Sequence, residues 1–249
     1  MRGREDTRRV VARWTGIAAL AGATVWMTLD ARGFERVLRA LAPNESAWLY
    51  PTKPLSALVL EQVWLATAAS VLALALGSAL GTLALTGFGV AFRDLVLSVG
   101  SLAQTVPTVA LMALLVPLTG YGPEPVVIAL TLYGVLPIAL NVIAGIEGVP
   151  PEVRDAAAGI GMGRAQRLLR VEIPLAMPVI LGGVKNVVVV NVSAATLGAV
   201  VAAGGLGMPI LAGFHDYNDA FILEGALPAI ALALLADRLL TVRPRWDRG

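Results

Sequence analysis

The sequence predicts an all-α, polytopic membrane protein with about six transmembrane helices. Three observations carry that prediction. First, the 249 residues are 57% hydrophobic and only 14% charged, with a mean hydropathy of +0.77, whereas soluble domains are about 25% charged. In water such a chain would expose too much apolar surface. Second, its apolar residues fall in six runs that approach or exceed the roughly 20 residues of a bilayer-crossing helix. Third, none of these runs alternates with the period of two expected of an outer-membrane strand.

Residues 1–13 hold Arg2, Arg4, Arg8, Arg9 and Arg13, and the uncharged run Trp14–Leu29 follows. A basic start before an apolar core also describes a secretory leader. No small-residue cleavage site follows directly. Ala40-Leu41-Ala42 has suitable residue types but lies beyond Arg32, Glu35, Arg36 and Arg39, so an uncleaved first span is expected. Residues 30–61 are mixed and charged, with Pro43, Pro51 and Pro54. Trp48 and Tyr50 in this stretch read as membrane-interface anchors. Val63–Thr86 is the second span. Leu95–Leu118, interrupted by Pro107 and Pro117, is the third, and Pro125–Ile146, containing Pro137, is the fourth. Ala176–Ala202 contains Lys185, and the shorter Ala220–Ala236 contains Glu224 and Pro228. The expected division is 1–60 (cytoplasmic segment, an additional helix and an external loop), 61–240 (the transmembrane domain) and 241–249 (a cytoplasmic tail).

Charge predicts the orientation. With the N-terminus inside, six spans place 1–13, 87–94, 147–175 and 237–249 in the cytoplasm, with five, one, four and four arginines. The outer segments hold only Arg32, Arg36, Arg39 and Lys53 as basic residues. That asymmetry satisfies the positive-inside rule and puts both termini, and the loop after the fourth span, in the cytoplasm.

Composition excludes several chemistries. There is no cysteine, hence no disulfide or thiolate site, and His215 is the single histidine, so no catalytic triad or histidine metal centre is expected. No catalytic or metal-binding residue is assigned. His215 sits with Asp216 and Asp219 in the predicted outer loop 203–219, read as solvated. Basic residues gather at the ends and in one loop, which points to membrane orientation and away from nucleic acid. No G-x-x-x-x-G-K-[ST] sequence is present, so the chain supplies no P-loop for nucleotide.

The polar island between the fourth and fifth spans reads DAAAGIGMGRAQRLLRVEIP, Asp155 to Pro174. Pro150-Pro151 suits a helix start, with Glu152 in the first turn where the helix dipole favours an anion. Gly159 and Gly161 interrupt the middle, which predicts two short helices with a bend, and Pro174 is expected to end the unit. Taken alone, such a loop is either a helix lying at the lipid interface or a docking element for a partner.

The spacing Asp155-Ala156-Ala157, three residues, Gly161, nine residues, Val171, one residue, Ile173-Pro174 resembles the "EAA" loop of permease subunits of binding-protein-dependent ABC importers. Asp for Glu, Val for Ile and Ile for Leu are its three departures. The segments 101–122, 129–149 and 195–207, with Gln104-Thr105-Val106-Pro107, Tyr133-Gly134-Val135-Leu136-Pro137 and Gly204-Gly205-Leu206-Gly207, resemble the osmoprotectant branch for glycine betaine, choline and carnitine. The first 60 residues match less. The resemblance implies the type I importer permease fold with a cytoplasmic coupling-helix loop. It implies ATPase-coupling roles for Asp155, Ala156, Ala157, Gly161, Val171, Ile173 and Pro174. It also implies separate ABC ATPase subunits carrying ATP and Mg, an extracytoplasmic substrate-binding protein and a second permease, identical or paralogous. The expected location is the cytoplasmic (inner) membrane. A methionine-type importer is the alternative, and a structural scaffold explains the helices but not the loop spacing.

Polar residues within spans either hydrogen-bond between helices or line a path. Gln104, Thr105, Pro107, Asn141, Asn191 and Thr196 are the candidates for the translocation path. Lys185 is the intramembrane charge, read as a functional candidate or as a side chain reaching the surface. Gly77 and Gly81 form a G-x-x-x-G pair, a weak close-packing signal.

Overall fold

The computed structural model describes residues 2–86, 98 and 105–241, with side chains from residue 14 onward, Thr86 excepted. Its elements are α1 (Arg2–Leu29), α2 (Ala31–Leu41), α3 (Leu55–Thr86), α4 (Thr108–Thr119), α5 (Pro123–Glu147), α6 (Pro151–Gly159), α7 (Arg164–Arg167), a π turn (Leu168–Glu172), α8 (Ile173–Ala194), a 3-10 turn (Ala195–Val201), α9 (Gly207–Asp216) and α10 (Asp219–Leu240). No strand occurs among the described residues. Four stretches are long and apolar enough to cross a membrane: Leu55–Leu85, Pro123–Glu147, Arg164–Val201 and Asp219–Leu240. Trp14–Leu29 and Thr108–Thr119 are shorter apolar helices. Most of the third predicted span before Thr105 lies outside the described residues.

The helices form two compact units, each assembled from separate stretches of the sequence. The first comprises Met1–Ala69, Thr108–Leu130 and Val188–Leu239. One of its cores gathers Leu65, Ala66, Met112, Val126, Leu130 and Ala195. The other gathers Phe34, Leu38, Leu55, Leu58 and Leu206. The segment before α3 belongs to the second core. Asp30 caps α2 by accepting from Gly33 N at 2.9 Å, satisfying one of the free amides of a helix start. Phe34 and Leu38, one turn apart, then face inward. Trp48 and Tyr50, read as interface anchors, are half-buried here. Trp48 donates to Ala42 O at 3.0 Å and is stacked by Arg39, and Tyr50 meets Phe221 edge-on at 6.0 Å. Both rings find partners within the chain.

Glu224 is 2% exposed and accepts Tyr50 N at 2.6 Å. A buried carboxyl needs such a donor, so the N-terminal segment is built into this unit. Within residues 203–219, predicted as a solvated loop, Gly207–Asp216 forms α9, while His215, Asp216 and Asp219 are exposed. Gly207 and Gly213 let α9 pack: a Cβ at Gly207 would meet the Thr196 carbonyl, and one at Gly213 would lie 2.7 Å from Asn218 O. Tertiary packing of small residues, which leaves little hydropathy signal, makes this helix.

The second unit comprises Ser70–Pro107, Thr131–Val187 and Leu240–Gly249. Its core is Ala73, Ile138, Val142, Ile146, Ala176, Ile180 and Val187. The G-x-x-x-G pair is its seam. A Cβ at Gly77 would lie 2.6 Å from Val135 O, and one at Gly81 would lie 2.8 Å from Val142 Cβ. The backbones of α3 and α5 therefore touch where only glycine fits.

Candidate functional site

The loop from Pro150 to Pro174 lies wholly in the second unit. Pro151 opens α6 with its missing N–H at a position that needs none. The helix stops at Gly159, and Gly161 follows with φ +85°. Gly161 N donates to Ala158 O at 2.9 Å and Met162 N to Ala157 O at 3.1 Å. This pair of bonds is a Schellman cap, which requires a left-handed residue at that point. No atom of the described residues lies within 4 Å of a Cβ at Gly161. The glycine is there for its backbone conformation and not for space.

Two helical pieces with a bend are therefore present, as the glycines predict. The end of the unit differs from expectation. Pro174 does not stop the helix: α7, the π turn and α8 run on as one apolar stretch. Pro174 offers no N–H to the carbonyl one turn back, and its ring crowds that carbonyl. The π turn accommodates it, with Ile173 N bonding Leu168 O.

Two arginines hold the loop against helix ends. Arg154 Nε donates to Val149 O at 3.1 Å, and its Nη2 to Val149 O at 2.6 Å and Glu147 O at 2.9 Å. Arg164 Nη2 donates to Leu85 O at 2.8 Å. The last carbonyls of α5 and α3 have no partner within their own helices, and a cation there also meets the negative end of the dipole. In the structure both arginines act as helix caps. Hydropathy carries no signal for that role, because the capped carbonyls are backbone.

The second half of α6 exposes small side chains, with two large apolar ones beyond it. Asp155, Ala156, Ala158 and Gly159 are exposed, and Ile160 and Leu169 are 77% and 66% exposed. Ala157 is the buried residue of α6, Val171 and Ile173 are half-buried, and Pro174 is exposed. The seven motif residues thus share one loop, with the Asp155-Ala156 side free and the Val171–Ile173 side packed inward.

The candidate path residues are divided between the two units. Gln104 lies outside the described residues. In the second unit, Thr105 and Pro107 are exposed, and Asn141 is half-buried, donating to Pro137 O at 2.8 Å. In the first unit, Asn191 is 1% exposed, and Thr196 Oγ donates to Ser193 O at 2.7 Å. Lys185 donates to Thr241 Oγ at 3.0 Å. Thr241 is the residue just past α10.

Sequence reasoning missed one arrangement in the first unit. Glu61 Oε2 accepts Gly205 N at 2.8 Å and its Oε1 accepts Lys53 Nζ at 2.6 Å. The neighbouring Gln62 accepts Leu206 N at 3.1 Å and donates to Val192 O at 2.7 Å. Gly204 and Gly205, at φ +86° and +77°, turn the chain so that successive amides reach these two side chains. The adjacent polar pair inside an otherwise apolar run was the available signal.

Membrane-length helices joined by a capped polar loop define a multi-pass helical membrane protein. The chain belongs to the family described as "Binding-protein-dependent transport system inner membrane component", which matches residues 59–243. It is an inner-membrane transport permease. It is 39% identical over 191 residues to the osmoprotectant import permease protein OsmW of Salmonella typhimurium, covering 75% of this chain and 88% of that protein. It is 37% identical to the choline transport system permease protein OpuBB of Bacillus subtilis, covering 60% of this chain and 69% of that protein. Among solved structures, the methionine ABC transporter MetNI in inward-facing conformations aligns with a TM-score of 0.63 at 20% identity, covering 73% of this chain and 92% of that one. This last likeness concerns the fold.

Proposed function

We propose that the chain is the membrane-spanning permease subunit of an ABC importer for glycine betaine, choline or a related quaternary ammonium osmoprotectant. The observation that carries the coupling role is the exposed helix α6, Pro151–Gly159, capped at Gly161. Its second half is small enough on its outer side to enter a partner's groove, and it is tied through Arg154 to the end of α5. Relatives named for osmoprotectant import and choline transport support the substrate class. ATP and Mg reside on a separate ATPase, a second permease completes the path, and a substrate-binding protein delivers solute from outside. Both termini and the loop 155–174 face the cytoplasm. Closure of the ATPase pair pushes α6; Arg154 and Arg164 pass that displacement to the ends of α5 and α3. On the outer side, Phe214 and Tyr217, 65% and 92% exposed, project beside Asp216 and Asp219 and meet the substrate-binding protein.

The test is ATP-dependent uptake of labelled glycine betaine and choline into vesicles holding this subunit, its ATPase and its binding protein. Saturable uptake, lost when Gly161 is replaced by a bulky residue, is expected. Uptake of neither solute, with ATP hydrolysis stimulated by a methionine-loaded binding protein, replaces the substrate class with an amino acid and leaves the permease role in place.

A further inference from the structure

Behind the loop, in the second unit, lies a cleft of about 460 Å³, within the roughly 300–1,000 Å³ of small-molecule sites. Leu85 and Ile146 form part of its wall. They belong to the last turns of α3 and α5, both membrane-length, so the cleft sits where those helices leave the hydrocarbon. Arg154, Arg164 and Arg167 line it, together with Glu147 and Glu172. Among the described lining residues, three guanidinium groups stand against two carboxylates, an excess of one positive charge.

The donors are not all used. Each guanidinium carries five N–H groups. Arg154 spends its Nε and Nη2 on carbonyls, and Arg164 its Nη2. Arg167 Nε is buried with no hydrogen-bond partner. Leaving a charged donor buried and unpaired is costly, so an acceptor from outside the chain is called for. Planar guanidinium groups match the oxygens of a phosphate.

We propose that this cleft binds the phosphate of an anionic phospholipid headgroup. A singly charged phosphodiester balances the net charge of the cleft, its oxygens satisfy Arg167, and Leu85, Ile146 and Leu168 face the glycerol and upper acyl carbons. A zwitterionic headgroup brings an ammonium to a cleft that is already positive. The cytoplasmic leaflet is rich in anionic lipid. The bound headgroup ties Arg167 of α7 to the ends of α3 and α5, and so stiffens the loop that meets the ATPase. The proposal rests on the membrane helices and on the proposed cytoplasmic placement of the loop, and not on the osmoprotectant reading.

The purified permease–ATPase complex in nanodiscs of phosphatidylcholine, with or without phosphatidylglycerol, provides the test. Retained lipid is read by native mass spectrometry. Wild type is expected to retain phosphatidylglycerol in preference to phosphatidylcholine. Arg167→Gln is expected to lower that retention several-fold, and Glu172→Gln, which makes the cleft more positive, to raise it. Arg170→Gln, exposed and outside the cleft lining, serves as the control and leaves retention unchanged. Equal retention of both lipids, or unchanged retention in both the Arg167 and Glu172 variants, overturns the proposal. Displacement of the lipid by millimolar inorganic phosphate overturns the lipid source, because the site then takes free anion. Solute uptake is not the readout, so failure here leaves the transport reading untouched.

Discussion

At the scale of single residues, Gly161 and Glu224 are constrained for opposite reasons. A side chain at Gly161 meets no atom of the described residues but inherits φ +85°. Holding an L-residue there costs about 1–2 kcal/mol, and asparagine tolerates it best. Gly161→Asn is therefore expected to retain more uptake per ATP hydrolysed than Gly161→Ala, and Gly161→Val least. An equal loss in all three would mean that the position is limited by space in a partner's groove and not by the cap. Glu224 is constrained by its partner. Glu224→Ala leaves Tyr50 N–H buried without an acceptor, at a cost of about 1–3 kcal/mol, while Glu224→Gln keeps a carbonyl oxygen for it. Thermal unfolding in detergent should show a lowered midpoint for alanine and a near-native one for glutamine. Equal midpoints would mean that water reaches the Tyr50 amide. The sequence shows Gly161 and Glu224 as a glycine and an acid. It does not show a left-handed cap or a contact 174 residues away.

At the scale of elements, glycine again separates two cases that read alike in the sequence. Gly77 and Gly182 both lie in long apolar helices. A Cβ on Gly77 runs into the Val135 carbonyl, which is backbone and cannot swing aside; one on Gly182 meets nothing within 4 Å. Gly77→Ala is expected to destabilise by about 1–3 kcal/mol, as overpacking does. Gly182→Ala is expected to stabilise by about 0.5–1 kcal/mol through helix propensity. Unfolding midpoints that move in the same direction for both would contradict the seam. The long helices were legible because hydropathy reports burial in lipid and in protein alike. Helix α9 was not, because its inward positions are Gly207, Pro209 and Gly213 and its last turn is polar. Pro174 misled for a related reason: proline ends a regular α ladder, but a π turn just before it absorbs the missing donor, and no local rule announces that turn.

At the scale of the whole molecule, the remaining question is which way the chain crosses the membrane. Helix geometry is indifferent to it; the arginines are not. Fourteen lie in the segments assigned to the cytoplasm, against Arg32, Arg36 and Arg39 outside, and short basic loops resist translocation. Because the native chain has no cysteine, single cysteines report position without background. Gln166 in the loop and Asp216 at the end of α9 are both exposed. In spheroplasts, a membrane-impermeant maleimide is expected to label Asp216→Cys at once, and Gln166→Cys only after permeabilisation. The reverse pattern would put the loop 155–174 outside, beyond the reach of any ATPase, and would remove the coupling role while leaving every helix in place. Simultaneous labelling of both would mean that the α8 stretch does not cross. Orientation is thus the property on which the sequence evidence bears most directly, and it decides whether the capped loop can do its work.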